Sequence, residues 1–159
     1  MAKVFEDYFS EIQTDMIAIC LEYIEDRAEK IFIYCSYENK TISNGFFYRI
    51  NGMILEKHEV NKGVRNGEPP YDVSRERQRG AMRIINQDIA QLIQVCKDFN
   101  RQMPTEIRIV YDVAKNSVNA NYRYDPVYSL DPLKLDDHIL EEWIEEEQRK
   151  LQSERSKQA

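Results

Sequence analysis

The sequence predicts an α+β fold, a two-layer sandwich in which a mostly antiparallel five-stranded sheet carries helices on one face. Three observations lead to this fold class. Apolar residues recur at helical spacing in three segments, they alternate with polar residues in five others, and short turns join the alternating segments. Strands that follow one another through short turns pair antiparallel, and helices then cover the sheet. The predicted order is α-βββ-α-ββ-α.

The length and composition indicate one domain. A chain of 159 residues with 42% hydrophobic residues can bury a single core. We expect this domain to span residues 1–151 and residues 152–159 to form a frayed polar tail.

An amphipathic helix and a three-stranded meander are predicted first. From Val4 to Leu21, apolar residues recur every three or four positions and form one stripe. Lys30–Tyr37 and Thr41–Ile50 then alternate as strands, the first with partly apolar residues on both faces. Asn51-Gly52 predicts a tight hairpin because both residues tolerate positive φ. The returning strand is predicted over Met53–Val60.

A loop and a long helix are predicted next. Asn61–Tyr71 contains two glycines and two adjacent prolines, which is typical of a loop. Asp72 or Ser74 can cap the helix that follows. Its apolar stripe continues to about Arg101, and Pro104 prevents further extension.

A second hairpin and a final helix complete the order of elements. Glu106–Tyr111 and Ser117–Tyr124 alternate as two strands separated by a short turn. The last helix is predicted to begin at Lys134 or Asp136 and to end at Leu151.

The residue types argue against several classes of protein. The N-terminus lacks a signal peptide's basic and apolar regions, and no apolar run approaches the ~20 residues of a membrane span. Three widely spaced cysteines, Cys20, Cys35 and Cys96, predict buried reduced thiols of a cytoplasmic protein. A pI near 5.1 disfavours nucleic acid as a partner.

Catalytic and metal-binding motifs are absent from the sequence. There is no phosphate-binding loop, no GxSxG elbow and no HxxxH or CxxC spacing. We therefore predict no enzyme activity, no metal and no cofactor. One alternative stays open: His58, with Glu56 two residues before it, could act as the general base of a small hydrolase or nuclease.

Acidic residues are concentrated in one segment. Tyr124–Glu147 holds nine carboxylates and one lysine, a charge of −8 in a chain whose total is −6. The helix dipole explains Asp136 and Asp137 at the start of the last helix. It does not explain Glu141 to Glu147, where like charges four residues apart repel one another. Such a segment suits a basic partner.

Several strings in the chain resemble a known family. The helix FEDYFSEIQTDMIAICLEYIE, the strand EKIFIYCSYE, the hairpin FFYRINGMILEKHEV, the strand NANYRYD and the acidic tail with its tryptophan occur in the same order. Together they resemble the YezG-type immunity proteins of Firmicutes, once described only as a domain of unknown function. Family members often open the first strand with Trp-x-Lys, whereas this chain has Ala28 before Lys30.

The resemblance implies a function and a partner. An immunity protein of this type binds the toxic C-terminal domain, often a nuclease, of a secreted LXG-type or type VII effector, and so protects the producing cell. An adaptor or chaperone for such an effector is an alternative role. The expected contact residues are acidic and aromatic residues of the C-terminal segment: Tyr124, Asp125, Tyr128, Asp131, Asp136, Asp137, Glu141, Trp143 and Glu145.

Overall fold

The computed structural model describes residues 3–127 and 136–158, and the elements follow the predicted order. The helices are α1 (Phe5–Tyr23), α2 (Arg75–Asp98) and α3 (Asp136–Gln158), with a 3-10 helix over Val60–Gly63. The strands are β1 (Lys30–Glu38), β2 (Thr41–Ile50), β3 (Met53–Glu56), β4 (Glu106–Asp112) and β5 (Ser117–Arg123). None of the helices in these residues combines the length and apolar character needed to cross a membrane.

The five strands form one antiparallel sheet in the order β3-β2-β1-β4-β5. β1 lies at the centre, where Ile33 pairs with Phe46 of β2 on one side and with Ile109 of β4 on the other. The Asn51-Gly52 turn has φ values of +48° and +77°, the left-handed conformation that this dipeptide predicts. The α+β class and the antiparallel five-stranded sheet are therefore confirmed.

The helices cover both faces of the sheet, so the prediction of a two-layer sandwich with helices on one face is wrong. α1 and α2 pack on the face that carries Ile31, Ile33 and Cys35 of β1. α3 packs on the opposite face, against Phe32 and Tyr34. The cause lies in β1 itself: its alternate residues are apolar on both faces, so each face needs its own cover.

Trp143 anchors α3 to the sheet. Its ring centroid lies 5.1 Å from that of Phe47 and 5.8 Å from that of Phe32, in edge-to-face contacts. The Arg108 guanidinium lies 5.1 Å from the centroid of the Trp143 ring, over its face. Gly45 of β2 lets the helix approach closely, because a Cβ at this position would collide with Leu140.

Two predicted boundaries are corrected. α3 does not end at Leu151 before a frayed tail, since it continues to Gln158. Its last turns contact the sheet: Glu154 pairs with Arg49 at 3.3 Å, and Arg155 donates to the carbonyl of Gly52. β3 ends at Glu56 instead of Val60, because the chain turns into the 3-10 helix.

Of the two predicted caps of α2, the structure confirms Ser74, and the predicted loop Asn61–Tyr71 begins with part of the 3-10 helix. Ser74 caps α2 by accepting a hydrogen bond from the backbone N–H of Arg77 at 3.3 Å. Asn61 holds the preceding loop closed, accepting from the Tyr71 N–H at 2.7 Å and donating to the Tyr71 carbonyl at 3.1 Å. The three cysteines are free and buried as predicted, and burial raises the pKa of Cys35 to about 12.

Replacing Trp143 with alanine should lower the free energy of unfolding by about 3–5 kcal/mol, because the indole fills the interface between α3 and the sheet. Urea denaturation followed by far-UV circular dichroism measures this loss. Glu145→Ala is the control on the exposed side of the same helix and should change stability by less than about 0.5 kcal/mol. A Trp143→Ala loss below about 1 kcal/mol would contradict the anchoring role.

Candidate partner-binding surface

The sequence of α3 gives the helix two different sides. Ile139, Trp143 and Ile144 recur at helical spacing and lie buried on the sheet. Glu141 and Glu142 lie between them in sequence, Glu145 follows them, and all three glutamates are exposed to solvent. Docking of the apolar side therefore presents carboxylates outward along the same helix.

The expected contact residues separate into four groups. Glu141 and Glu145 are exposed on α3, and within the described residues neither forms an ion pair. Trp143 is only 3% exposed, so its expected role as a contact residue is wrong. Asp136 and Asp137 form the start of α3, and their side chains are not among those that the structure describes. Tyr128 and Asp131 lie outside the described residues. Tyr124 and Asp125 form the fourth group.

Tyr124 and Asp125 follow β5 and are both exposed, with Tyr124 at 50%. Tyr124 lines a pocket of 410 Å³ together with Phe5 and Phe9 of α1. Because α1 and α3 cover opposite faces, this pocket is not part of the acidic side of α3. Asp125 pairs with Arg123 at 3.2 Å, and the hydrogen bond from Arg123 lowers the pKa of Asp125.

Glu146 and Glu147 of α3 form ion pairs within the protein, as Glu154 does. Glu146 lies 3.7 Å from Arg108 and 3.6 Å from Lys150, and Glu147 lies 3.2 Å from Lys150. Partial burial lowers the pKa of Lys150, but the hydrogen bond to Glu147 and the charges of both glutamates raise it overall. Glu141, Glu142 and Glu145 are the exposed glutamates in the first half of α3, and we call this set the α3 acidic face.

The alternative general base lies in a turn and not on a strand. His58 follows the end of β3, is exposed, and has its Nε2 atom 3.9 Å from Glu56. Ligand atoms of Glu56, His58 and Glu59 lie within 4.8 Å of one another and could meet a divalent cation. Lys62 already contacts Glu59 at 2.6 Å, and this hydrogen bond lowers the pKa of Glu59. The cation would have to displace that lysine.

A buried carboxyl group of α2, Asp88, lies beside a carboxyl group of α1, and the sequence did not lead us to predict this contact. Asp88 is buried, while Asp15 of α1 is exposed beside it. Burial, followed by the hydrogen bond to Asp15 and its charge, raises the pKa of Asp88 to about 8. The sequence pattern does indicate a buried carboxyl group here, because Asp88 lies in the apolar stripe between Ile85 and Leu92.

Comparison with models of protein families and with curated proteins found no match to this chain. The resemblance to YezG-type immunity proteins therefore stays a prediction, and the candidate surface is defined by its own geometry.

Asp88→Asn should make the protein more stable at alkaline pH. The folded-state pKa of about 8 exceeds the ordinary value of 3.8, so the folded state holds the proton more tightly than the unfolded chain. The free energy of unfolding of the wild type should therefore fall as pH rises between these two values. Asparagine keeps the shape but cannot ionise, which removes that loss.

Urea denaturation across this pH range, on Asp88→Asn and on the wild type, checks the prediction. Asp98→Asn, an exposed aspartate of the same helix, is the control and should follow the wild-type slope. An equal slope for Asp88→Asn and the wild type would show that Asp88 ionises normally.

Proposed function

We propose that this protein is an immunity protein, which binds the toxic domain of a cognate secreted effector and blocks it by direct contact. The observation that carries the proposal is the α3 acidic face, whose carboxylates project from a helix anchored by Trp143. The resemblance to YezG-type immunity proteins supports the same function. The protein then acts in the cytoplasm, where an intracellular toxin would injure the producing cell.

The chemistry of the face fits a basic protein surface. A nuclease that acts on nucleic acid needs lysine and arginine in its cleft to neutralise phosphates. Carboxylates at the spacing of one helix turn, as in Glu141 and Glu145, can occupy such a cleft in place of phosphates. Opposite charges also accelerate encounter between the two proteins.

The anchored helix reduces the entropic cost of binding. Complexes lose affinity when interface segments have to become ordered, so a surface held in place beforehand binds more tightly. Trp143, Ile139 and Leu151 fix the backbone of α3 on the sheet. Only the ends of the glutamate side chains remain to be ordered by the partner.

A hydrolase is the second candidate, and the proximity of Glu56, His58 and Glu59 favours it. His58 is exposed in a turn, where bulk water weakens the electrostatic interactions that would stabilise a transition state, so this candidate is weaker than binding. His58→Ala separates the two functions, because it should leave toxin neutralisation unchanged and remove any hydrolytic activity.

Co-expression with the toxin domain encoded beside this gene is the direct test. The protein should restore growth of a toxin-expressing host and should co-purify with the toxin in equal amounts. A catalytically inactive toxin domain serves as the control for binding without toxicity. If toxicity persists at equal expression and the two proteins do not co-purify, the immunity function is wrong.

Reversing the charge of Glu141 and Glu145 to lysine should weaken toxin binding by roughly a hundredfold or more, because close charge pairs across an interface contribute strongly. Wild-type affinity should fall as salt rises, whereas the variant's affinity should be less sensitive to salt. Isothermal titration calorimetry at two salt concentrations measures both effects.

The matched control reverses Glu22 and Asp98, two exposed carboxylates of the α1 and α2 layer. It changes net charge by the same amount on the other face of the sheet. Equal weakening by both pairs would mean that total charge, and not the α3 acidic face, determines binding.

A further inference from the structure

Within residues 3–127 and 136–158, the sheet has one well-covered edge and one open edge. β3 is four residues long and contacts both α3 and the 3-10 helix. β5, at the other edge, is seven residues long, and its residues are exposed or half-buried throughout. The outer side of β5 is therefore available for pairing with another strand.

The hydrogen-bond pattern identifies the backbone groups of that open side. Tyr37 donates to the Thr105 carbonyl at 2.9 Å, and Val113 donates to the Glu29 carbonyl at 3.1 Å. Odd-numbered residues of β4 therefore bond towards β1, and in an antiparallel sheet the even-numbered ones bond towards β5. Given the β4–β5 register, the N–H and C=O groups of Val118, Ala120 and Tyr122 point out of the sheet.

β5 lacks the features that usually protect an edge strand. Proteins prevent edge pairing with proline, bulges or central charges. β5 (SVNANYR) has no proline, pairs with β4 over all seven residues without a bulge, and has its one charge at Arg123. Val118 is 50% exposed near the other end.

We propose that two copies of this chain pair antiparallel through β5, about a twofold axis that passes through Ala120. In this register Val118 of one copy faces Tyr122 of the second copy, and Ala120 faces Ala120. All three outward-facing positions then meet outward-facing positions, so every free N–H meets a C=O. The contact is isologous, as in most homodimers.

Side chains also match across this axis. Val118 would lie against Tyr122 of the second copy, beside the pocket that Tyr122 forms with Phe5 and Phe9. A β-branched residue opposite an aromatic one is a favourable cross-strand pair. Lys115, in the β4–β5 turn, would approach Asp125 of the second copy with opposite charge.

The dimer would have one continuous sheet made from two five-stranded sheets. Antiparallel pairing about an axis perpendicular to the sheet keeps equivalent faces together. Both α3 acidic faces would therefore lie on one side of the assembly. Toxin binding by these faces would not involve β5. The pairing does not depend on the immunity function.

Disulfide cross-linking tests the register. Opposed Cα atoms in a hydrogen-bonded antiparallel pair lie about 5.5 Å apart, within the range of a disulfide. Ala120→Cys should thus form a covalent dimer under mild oxidation. Val118→Cys is the matched control: the two Val118 residues would be offset by about 14 Å along the strands and should not cross-link. The native cysteines are buried and should not contribute.

Sedimentation equilibrium of the full chain tests the interface without an added cysteine. The wild type should dimerise as concentration rises from about 1 to 300 µM, as expected for a small interface. Val118→Lys should weaken dimerisation at least about tenfold, since it places two lysines at the paired edges. Met53→Lys, an exposed apolar residue at the opposite edge of the sheet, should dimerise like the wild type.

Three outcomes would overturn the proposal. A wild type that stays monomeric throughout this range has no such interface. Equal cross-linking of both cysteine variants would mean that the contact is not in this register. Protection of the amides of Val118, Ala120 and Tyr122 from hydrogen exchange only when toxin is added would assign the edge to a strand of the toxin.

Discussion

Apolar side chains on both faces of β1 are the constraint on which the rest of the structure depends. A central strand with Ile31 and Ile33 on one face and Phe32 and Tyr34 on the other cannot leave either face in water. α1 and α2 cover the first face and α3 covers the second. The position of α3, and with it the outward direction of its glutamates, follows from this requirement.

The alternation of strands predicted which residues share a face but not what covers that face. The alternation predicted partly apolar residues on both faces of β1, yet helices were expected on only one face of the sheet. One tryptophan supplies much of the area that several smaller residues would give. Local signals did predict the Asn51-Gly52 turn and the Ser74 cap, because those conformations depend on neighbouring residues alone.

The candidate surface was predictable in charge and not in shape. Composition located the carboxylates in the last helix, but their separate roles depend on residues distant in sequence. Glu146 pairs with Arg108 of β4, and Glu147 with Lys150, so these two charges are partly neutralised within the protein. Tyr124, the first residue of the acidic segment, lies with α1 on the other face. Tyr124 and the glutamates of α3 lie on different faces because α1 and α3 pack on opposite sides of the sheet.

The stability of the docked helix explains how α3 can carry a like-charged face. Glutamates four residues apart, such as Glu141 and Glu145, destabilise an isolated helix by a few tenths of a kcal/mol for each pair. Burial of Trp143 contributes roughly ten times as much, about 3–5 kcal/mol. Tertiary packing therefore outweighs the repulsion, and the helix stays formed without lysines between the glutamates. A partner that neutralises these carboxylates would remove the remaining repulsion, so binding and helix stability are coupled.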